Sequence, residues 1–300
     1  ARAKFETGEM PEAEFRKVQE EVTCEVVAEQ LTAGLDLVTD GHICWDDPPT
    51  YFAGRLGGVT LAGLLRYFDT NTYYRQPVVS GPLQWQGPIS VADYQFAVSH
   101  STKPVKAVVP GPYTLAQLSK DDYYHDFRSF VLACAEELHK EAKALAQAGA
   151  PLIQFDEPSI LFQKADFPLF REAMQRVVRD VAAKTALYMY FGDVDGLYPD
   201  ILELPVDIIG LDFVMGKKNF EIIREAPFTK ELGFGIVDAR NTRRETPAQI
   251  AEQVRTISRI IPPDRLYVHP NCGLEFLPRE VAYEKLAAMV AGVQKARTEL

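Results

Sequence analysis

Pro151–Pro158, reading PLIQFDEP, decides the fold. The apolar run Leu152-Ile153-Gln154-Phe155 feeds into Asp156-Glu157 and is stopped by Pro158. A buried strand ends in two carboxylates only where that end opens on water, a cation or a substrate, because a desolvated carboxylate is costly. Just upstream, Lys120–Ala148 carries an apolar stripe of helical spacing (Phe127, Phe130, Val131, Cys134, Leu138, Ala142, Leu145) and closes at Gly149. The unit is therefore helix, apolar strand, polar tip.

That unit recurs outward in both directions. Towards the N-terminus, Pro11 to about Ala33 reads as an amphipathic helix ended by Gly34. Leu35–Thr39 follows as a short strand tipped by Asp40-Gly41-His42, and Val105–Val109 as another, ending in Pro110-Gly111-Pro112-Tyr113-Thr114. Towards the C-terminus, helical stretches alternate with strands at Thr185–Phe191, Val206–Phe213, Gly233–Val237 and Arg265–Val268. The last strand turns through His269-Pro270-Asn271-Cys272-Gly273 into a terminal helix at about Arg279–Arg297.

Strands alternating with helices over the whole length imply a parallel sheet with right-handed crossovers. No Gly-x-Gly-x-x-Gly turn follows the first strand, which disfavours a doubly wound nucleotide fold. The predicted class is α/β, a (β/α)8 TIM barrel. Seven strands are legible, near residues 36, 106, 152, 187, 208, 234 and 266. The first strand is expected before Ala1; the alternative is that Tyr73–Val79 supplies the eighth. Residues 1–300 read as one barrel domain with a loop or hairpin inserted at about 66–100. Within it Pro77–Pro88 (PVVSGPLQWQGP) is broken by Gly81-Pro82 and Gly87-Pro88.

Composition narrows the function. With 47% hydrophobic and 25% charged residues the chain has globular composition. A formal net charge of −10 argues against nucleic acid and against an anionic membrane surface as partners. No apolar run reaches the roughly 18 residues of a membrane span. The polar start, ARAKFETGEMPEAEF, does not read as a signal peptide. Four cysteines (Cys24, Cys44, Cys134, Cys272) lie without CxxC spacing, which points to a reducing, cytoplasmic setting.

Barrel active sites gather at the C-terminal ends of the strands. The tips here are Asp40/His42, Pro110–Tyr113, Asp156/Glu157, Gly192/Asp193, Asp212, Asp238/Arg240/Asn241 and His269/Cys272. A ring with so many carboxylates suits a substrate ammonium or a divalent metal; its competing explanation is that aspartates cap the helices that follow. Cys272, on a turn at a strand tip, reads as a thiolate nucleophile or soft-metal ligand against the alternative of inert filler. A mixed metal site of His42, Asp212 and Cys272 is one expectation. Arg240 offers a fork donor for a carboxylate or phosphate, beside Asn241.

Together these tips resemble the cobalamin-independent methionine synthase family over nearly the whole chain. The resemblance rests on Val38–His42 with Asp46-Asp47 and Tyr51-Phe52, on Pro110–Thr114, on Ile153–Pro158 and on Asn271-Cys272-Gly273-Leu274. Members begin with a strand just before the helix found here at 11–33, in agreement with a first strand before Ala1. The family's catalytic barrel holds zinc through a His-x-Cys, a Glu and a later Cys. The resemblance places these on Tyr188, Tyr190, Asp212 and Cys272, so two tyrosines stand at ligand positions. The carboxylates that hold the homocysteine amine fall on His42 and Asp156, and a histidine proton donor falls on Arg240. Phe68–Tyr74 (FDTNTYY), Tyr190–Val194 (YFGDV), Leu211–Val214 (LDFV) and Val237–Asn241 (VDARN) instead resemble the enzyme's N-terminal, non-zinc barrel.

The resemblance implies a methyltransferase moving a methyl group from a methyl-pterin or methylcobamide carrier to a thiol amino acid such as homocysteine. Cys272, Asp212 and Asp238 are the expected catalytic residues. His42, Asp47, Asp156, Glu157, Arg240, Asn241 and Tyr190 are the expected substrate contacts. Zinc is the expected metal, with a degenerate ligand set. The alternative is a non-zinc, carrier-binding barrel that serves a separate zinc-bearing subunit or works with a corrinoid protein.

Overall fold

In a computed structural model describing residues 1–300, the chain opens with α1 (Arg2–Glu6) and the long α2 (Glu12–Ala33). Gly34 ends α2 in the left-handed region at φ +87°, where glycine carries no Cβ penalty. The expected strand at Leu35–Thr39 contracts to a single parallel bridge between Val38 and Val105. After α3 (Pro48–Ala53) come β1 (Leu56–Arg66) and β2 (Tyr73–Trp85), then α4 (Val91–Ser99).

The repeating part follows in order: β3 (Ala107–Pro110), α5 (Pro112–Gln117), β4 (Lys120–Asp121), α6 (Phe127–Gln147), β5 (Leu152–Asp156) and α7 (Phe167–Val177). It continues with β6 (Lys184–Met189), β7 (Ile208–Asp212), α8 (Asn219–Ile222), β8 (Glu231–Val237), α9 (Pro247–Ser258), β9 (Leu266–Pro270) and α10 (Arg279–Arg297). Six strands form one parallel sheet in the order β3-β5-β6-β7-β8-β9. The Val38 bridge extends it beyond β3. Strands β5 and β7 are buried almost throughout, and β9 is half-buried along its length. Continuous apolar strands such as Ile208–Asp212 are what a sheet covered on both faces requires.

The hairpin corrects the sequence reading twice. It begins at Leu56 rather than near 66, and β2 runs on through Gly81-Pro82, which sit where its pairing with β1 is interrupted. Tyr73–Val79 supplies no barrel strand, because it pairs antiparallel with β1 in a separate sheet, β1-β2-β4. Register shifts near Gly57/Val59 and Leu61/Leu64 mark irregularities that hide β1 from a strict two-residue alternation. Helix α6 starts at Phe127, not Lys120, because Asp126 caps it by accepting from Ser129 N at 2.9 Å.

The hairpin lies across the mouth of the sheet as a strap. Its root is held by α6: Glu141, fully buried, accepts from Trp85 Nε1 (2.9 Å), Ile89 N (2.8 Å), Ser90 N (2.8 Å) and Ser90 Oγ (2.8 Å). A buried carboxylate is tolerable with that many donors. Its tip touches the strand ends, where Tyr67, Tyr74, Tyr190, Phe191, Ala239 and Cys272 form an apolar cluster separate from the main core. No helix is long and apolar enough to cross a membrane.

Candidate active site at the strand tips

Most of the acidic ring is occupied by backbone. Asp212, fully buried, accepts from Phe191 N (3.0 Å) and Asn271 Nδ2 (3.0 Å) on one oxygen, and from Val214 N and Met215 N (2.8 Å each) on the other. It ties three strand tips together. Glu157, also fully buried, accepts from Tyr113 N (2.9 Å) and Thr114 N (2.8 Å) at the start of α5. Gly111 makes room for it, since an added Cβ there would lie 2.1 Å from the Glu157 side chain. Burial pushes Glu157 up to about 8. Asp47 caps α3 through Thr50 N (2.7 Å) and Thr50 Oγ1 (2.5 Å). Asp40 accepts from His42 N, and Asp193 from Asp195 N. Asp238 accepts from Arg240 N (2.9 Å), and Asn241 from Arg243 N (2.8 Å). Asp47, Glu157, Asp238 and Asn241, expected to touch substrate or act in catalysis, therefore hold turns and helix starts.

Asp156 is the exception. Its oxygens meet Gln154 Nε2 at 2.7 Å and the Tyr190 hydroxyl at 3.5 Å, and no backbone amide. Gln154 Oε1 in turn accepts from Lys106 Nζ at 2.5 Å, and that ammonium lies 4.9 Å from the centre of the Tyr188 ring. Ammonium, amide and carboxylate form a relay in which the amide is oriented by its two neighbours. Burial pushes Asp156 up to about 6, against the Gln154 hydrogen bond and the Lys106 charge, and pushes Lys106 down to about 8. Near pH 7 both groups carry charge.

Below the relay the interior is aromatic. The Tyr188 ring packs against His269, tilted by 34° at 4.5 Å, and fits because β7 and β8 carry Gly210 and Gly233 opposite it. A Cβ on Gly210 would come 2.4 Å from the ring. His269 is held far below its usual range by burial and the nearby Lys106, and its Nε2 has no partner. His42, in the left-handed region at φ +54°, stacks on Trp45 at 3.9 Å. Burial lowers its pKa, Asp40 opposes this, and its Nε2 is also unpartnered. A neutral imidazole thus stands where the resemblance places an amine-binding carboxylate.

Above the relay, the Tyr190 hydroxyl meets that of Tyr67 on the strap at 3.3 Å, and burial first, then Asp156, raises the Tyr190 pKa well above its usual value. Cys272 is buried, with Sγ 3.8 Å from Asn271 Oδ1. Burial, then the carboxylates of Glu275 and Asp212, push its thiol well above the usual range. Arg240 donates to the Asp69 carbonyl on the strap and lies over the Phe191 ring at 5.2 Å.

The donor set does not suit zinc. Two of the four ligand positions hold tyrosines, Tyr188 and Tyr190, and Asp212 spends both oxygens on four N–H donors. Zinc binds deprotonated, uncommitted donors. The mixed set is corrected as well. His42 lies against Trp45 and Asp40, and no three His, Cys, Asp or Glu side chains are grouped as metal ligands.

Lys106, Tyr67 and Glu275 were not singled out from the sequence. For Lys106 and Gln154 a signal existed, since each is a polar residue inside or beside an otherwise apolar strand. Glu275 and Tyr67 become neighbours of the site only through folding.

Residues 1–295 match the family described as cobalamin-independent synthase, catalytic domain. A methionine synthase of Saccharolobus solfataricus is 34% identical over 295 residues, covering 98% of this chain and 89% of that protein. One of Pyrococcus furiosus is 32% identical over 301 residues, covering 98% and 87%. Among solved structures, a B12-independent methionine synthase from Shewanella sp. W3-18-1, in complex with selenomethionine, superimposes with a TM-score of 0.87 at 26% identity, over 97% of this chain and 91% of that one. A parallel α/β sheet with this likeness, matched in sequence almost from end to end, places the chain in the cobalamin-independent methionine synthase family of methyltransferases.

Proposed function

We propose that the chain transfers a methyl group from a methyltetrahydropteroyl donor to the sulfur of homocysteine or a closely related amino-acid thiol. The observation that carries the substrate side is Asp156. It is the tip carboxylate that no backbone amide uses, and the Gln154–Lys106 relay keeps it ionised and oriented. An ammonium group, with three donors, is its chemical complement. The Shewanella relative's complex with selenomethionine supports an amino acid of this size. The family's independence of cobalamin supports the pteroyl donor over a corrinoid. No observation favours service to a second subunit.

We also read the sheet as most of a barrel. Closure requires one more strand between β9 and the Val38 bridge, and the half-buried state of β9 supports that placement. Residues 1–300 then form one barrel unit carrying the strap.

In the transfer, the acceptor sulfur forms a bond to the methyl carbon as the donor's N–CH3 bond breaks. The electron pair stays on nitrogen, which ends with a proton, and the thiol gives up one, so the products are the methyl thioether and the N–H pteridine. The residues in hand bind and orient. Asp156 holds the ammonium, the Tyr67–Tyr190 pair closes the mouth, and the strap excludes water. The polar wall of Asp238 and Asn241 is available to the donor, and Cys272 lies in the apolar cluster under the strap. The step is written without a metal, because tyrosines stand at two ligand positions and Asp212 is committed to N–H donors.

Incubation of the purified protein with homocysteine and 5-methyltetrahydropteroyl glutamate should yield methionine by mass spectrometry. Methionine formed only with methylcobalamin would overturn the donor, and none with either would overturn the function.

A further inference from the structure

Between the strap tip and the ends of β8 and β9 lies a cavity of about 460 Å³, lined by Arg66, Asp69, Asn71, Arg240, Glu275 and Phe276 among others. That volume is within the usual range of small-molecule clefts. Its charges are unevenly committed. Arg66 pairs with Asp69 at 3.3 Å and donates to the Thr70 carbonyl. Arg240 uses one amino group on the Asp69 carbonyl and rests its plane on Phe191, leaving other N–H groups open. Glu275 accepts only from its own backbone and sits in no ion pair. Its carboxylate folds over Gly273, where an added Cβ would lie 2.0 Å from Oε2.

We propose that Glu275 and Arg240 form a clamp for the two charged ends of an α-amino acid. Glu275, together with Asp156, takes the ammonium, and the Arg240 guanidinium takes the carboxylate. The clamp rests on the reading of Asp156 as an ammonium site and adds the residues that make the acceptor an amino acid rather than a simple thiol. Three arguments carry it. An unpaired carboxylate and a part-used guanidinium share one cavity without pairing with each other, so a ligand bearing both signs satisfies both. Burial first, then the Asp156 carboxylate, raises Glu275 to about 7, and a bound cation relieves that repulsion. The Arg240 fork is held in advance by Asp69 and Phe191, which reduces what must be ordered on binding a planar carboxylate.

The test is calorimetry on the full chain with homocysteine, 3-mercaptopropylamine (no carboxylate) and 4-mercaptobutanoate (no ammonium). Glu275→Gln should weaken homocysteine and 3-mercaptopropylamine by about tenfold or more and leave 4-mercaptobutanoate within about twofold. Arg240→Met should do the converse, sparing 3-mercaptopropylamine. Because each variant keeps one ligand unchanged, misfolding is separated from lost recognition. Equal weakening of all three ligands, or none, overturns the clamp. Asp156→Asn separates the two readings. If it abolishes homocysteine binding while Glu275→Gln and Arg240→Met leave that binding within about twofold, the clamp falls and the Asp156 site stands. If the unaltered protein does not bind homocysteine, both fall.

Discussion

Replacing Lys106 by methionine tests the relay beneath the substrate carboxylate. The side chain keeps its length and apolar bulk but loses the ammonium that lies 2.5 Å from Gln154 Oε1, from which Gln154 Nε2 reaches Asp156 at 2.7 Å. Two consequences follow. Gln154 loses the partner that orients its amide, and Asp156 loses a positive neighbour. Both make the carboxylate form less favourable, so its pKa rises from about 6. An opposite charge at this range is worth about one pKa unit or more. With a shift of about one unit, the ionised fraction of Asp156 at pH 6 drops from about a half to about a tenth, and at pH 8 it stays above about nine-tenths. Methionine affinity measured by calorimetry should therefore fall about fivefold in Lys106→Met at pH 6 and less than about twofold at pH 8. The acid limb of the affinity–pH curve moves up, from about 6 towards about 7. The unaltered protein itself should lose affinity as pH falls through about 6. An acid limb that stays in place or moves down in the variant would refute the relay, and no acid limb in the unaltered protein would refute Asp156 as the ammonium site.

Two further outcomes separate structural from chemical roles. Asp212→Asn replaces two acceptor oxygens with one and strands N–H donors among Phe191, Val214, Met215 and Asn271. It should cost roughly 3 kcal/mol and lower the melting temperature by about 6 °C or more; unchanged stability with altered metal content would reassign it as a ligand. Gly210→Ala drives a Cβ to 2.4 Å from the Tyr188 ring and should cost about 1–3 kcal/mol in denaturant unfolding. Adding Tyr188→Leu should recover most of that loss, and a double variant with simply additive losses would contradict the packing account.

The order of elements was legible because helix and strand periodicities differ and because parallel strands are apolar throughout. PLIQFDEP reads as a buried strand with a polar end from its residues alone, and α2, with Gly34 behind it, from its spacing. The strap was misread because its strands are local to each other, irregular in register and exposed on one side, so neither glycines nor alternation marked their limits. Val38 shows the opposite limit: a sequence reading gives a strand, and only one bridge forms.

At the site the division is sharper. Sequence determined that carboxylates, an arginine and a cysteine gather at the strand tips, and that tyrosines occupy two positions where the resemblance expects soft ligands. It did not determine which carboxylates remain free. Asp156, Glu157 and Asp212 look alike in one dimension. Glu157 is consumed by backbone N–H groups at the start of α5, Asp212 by those of its own tip and of the β6 tip together with the Asn271 side chain, and Asp156 by no backbone N–H. Those donors lie 21 to 59 residues away from the carboxylates they bind in several cases. Hydrogen-bond commitment is a property of neighbours in space, so only the tertiary structure decided which acid was left for a ligand.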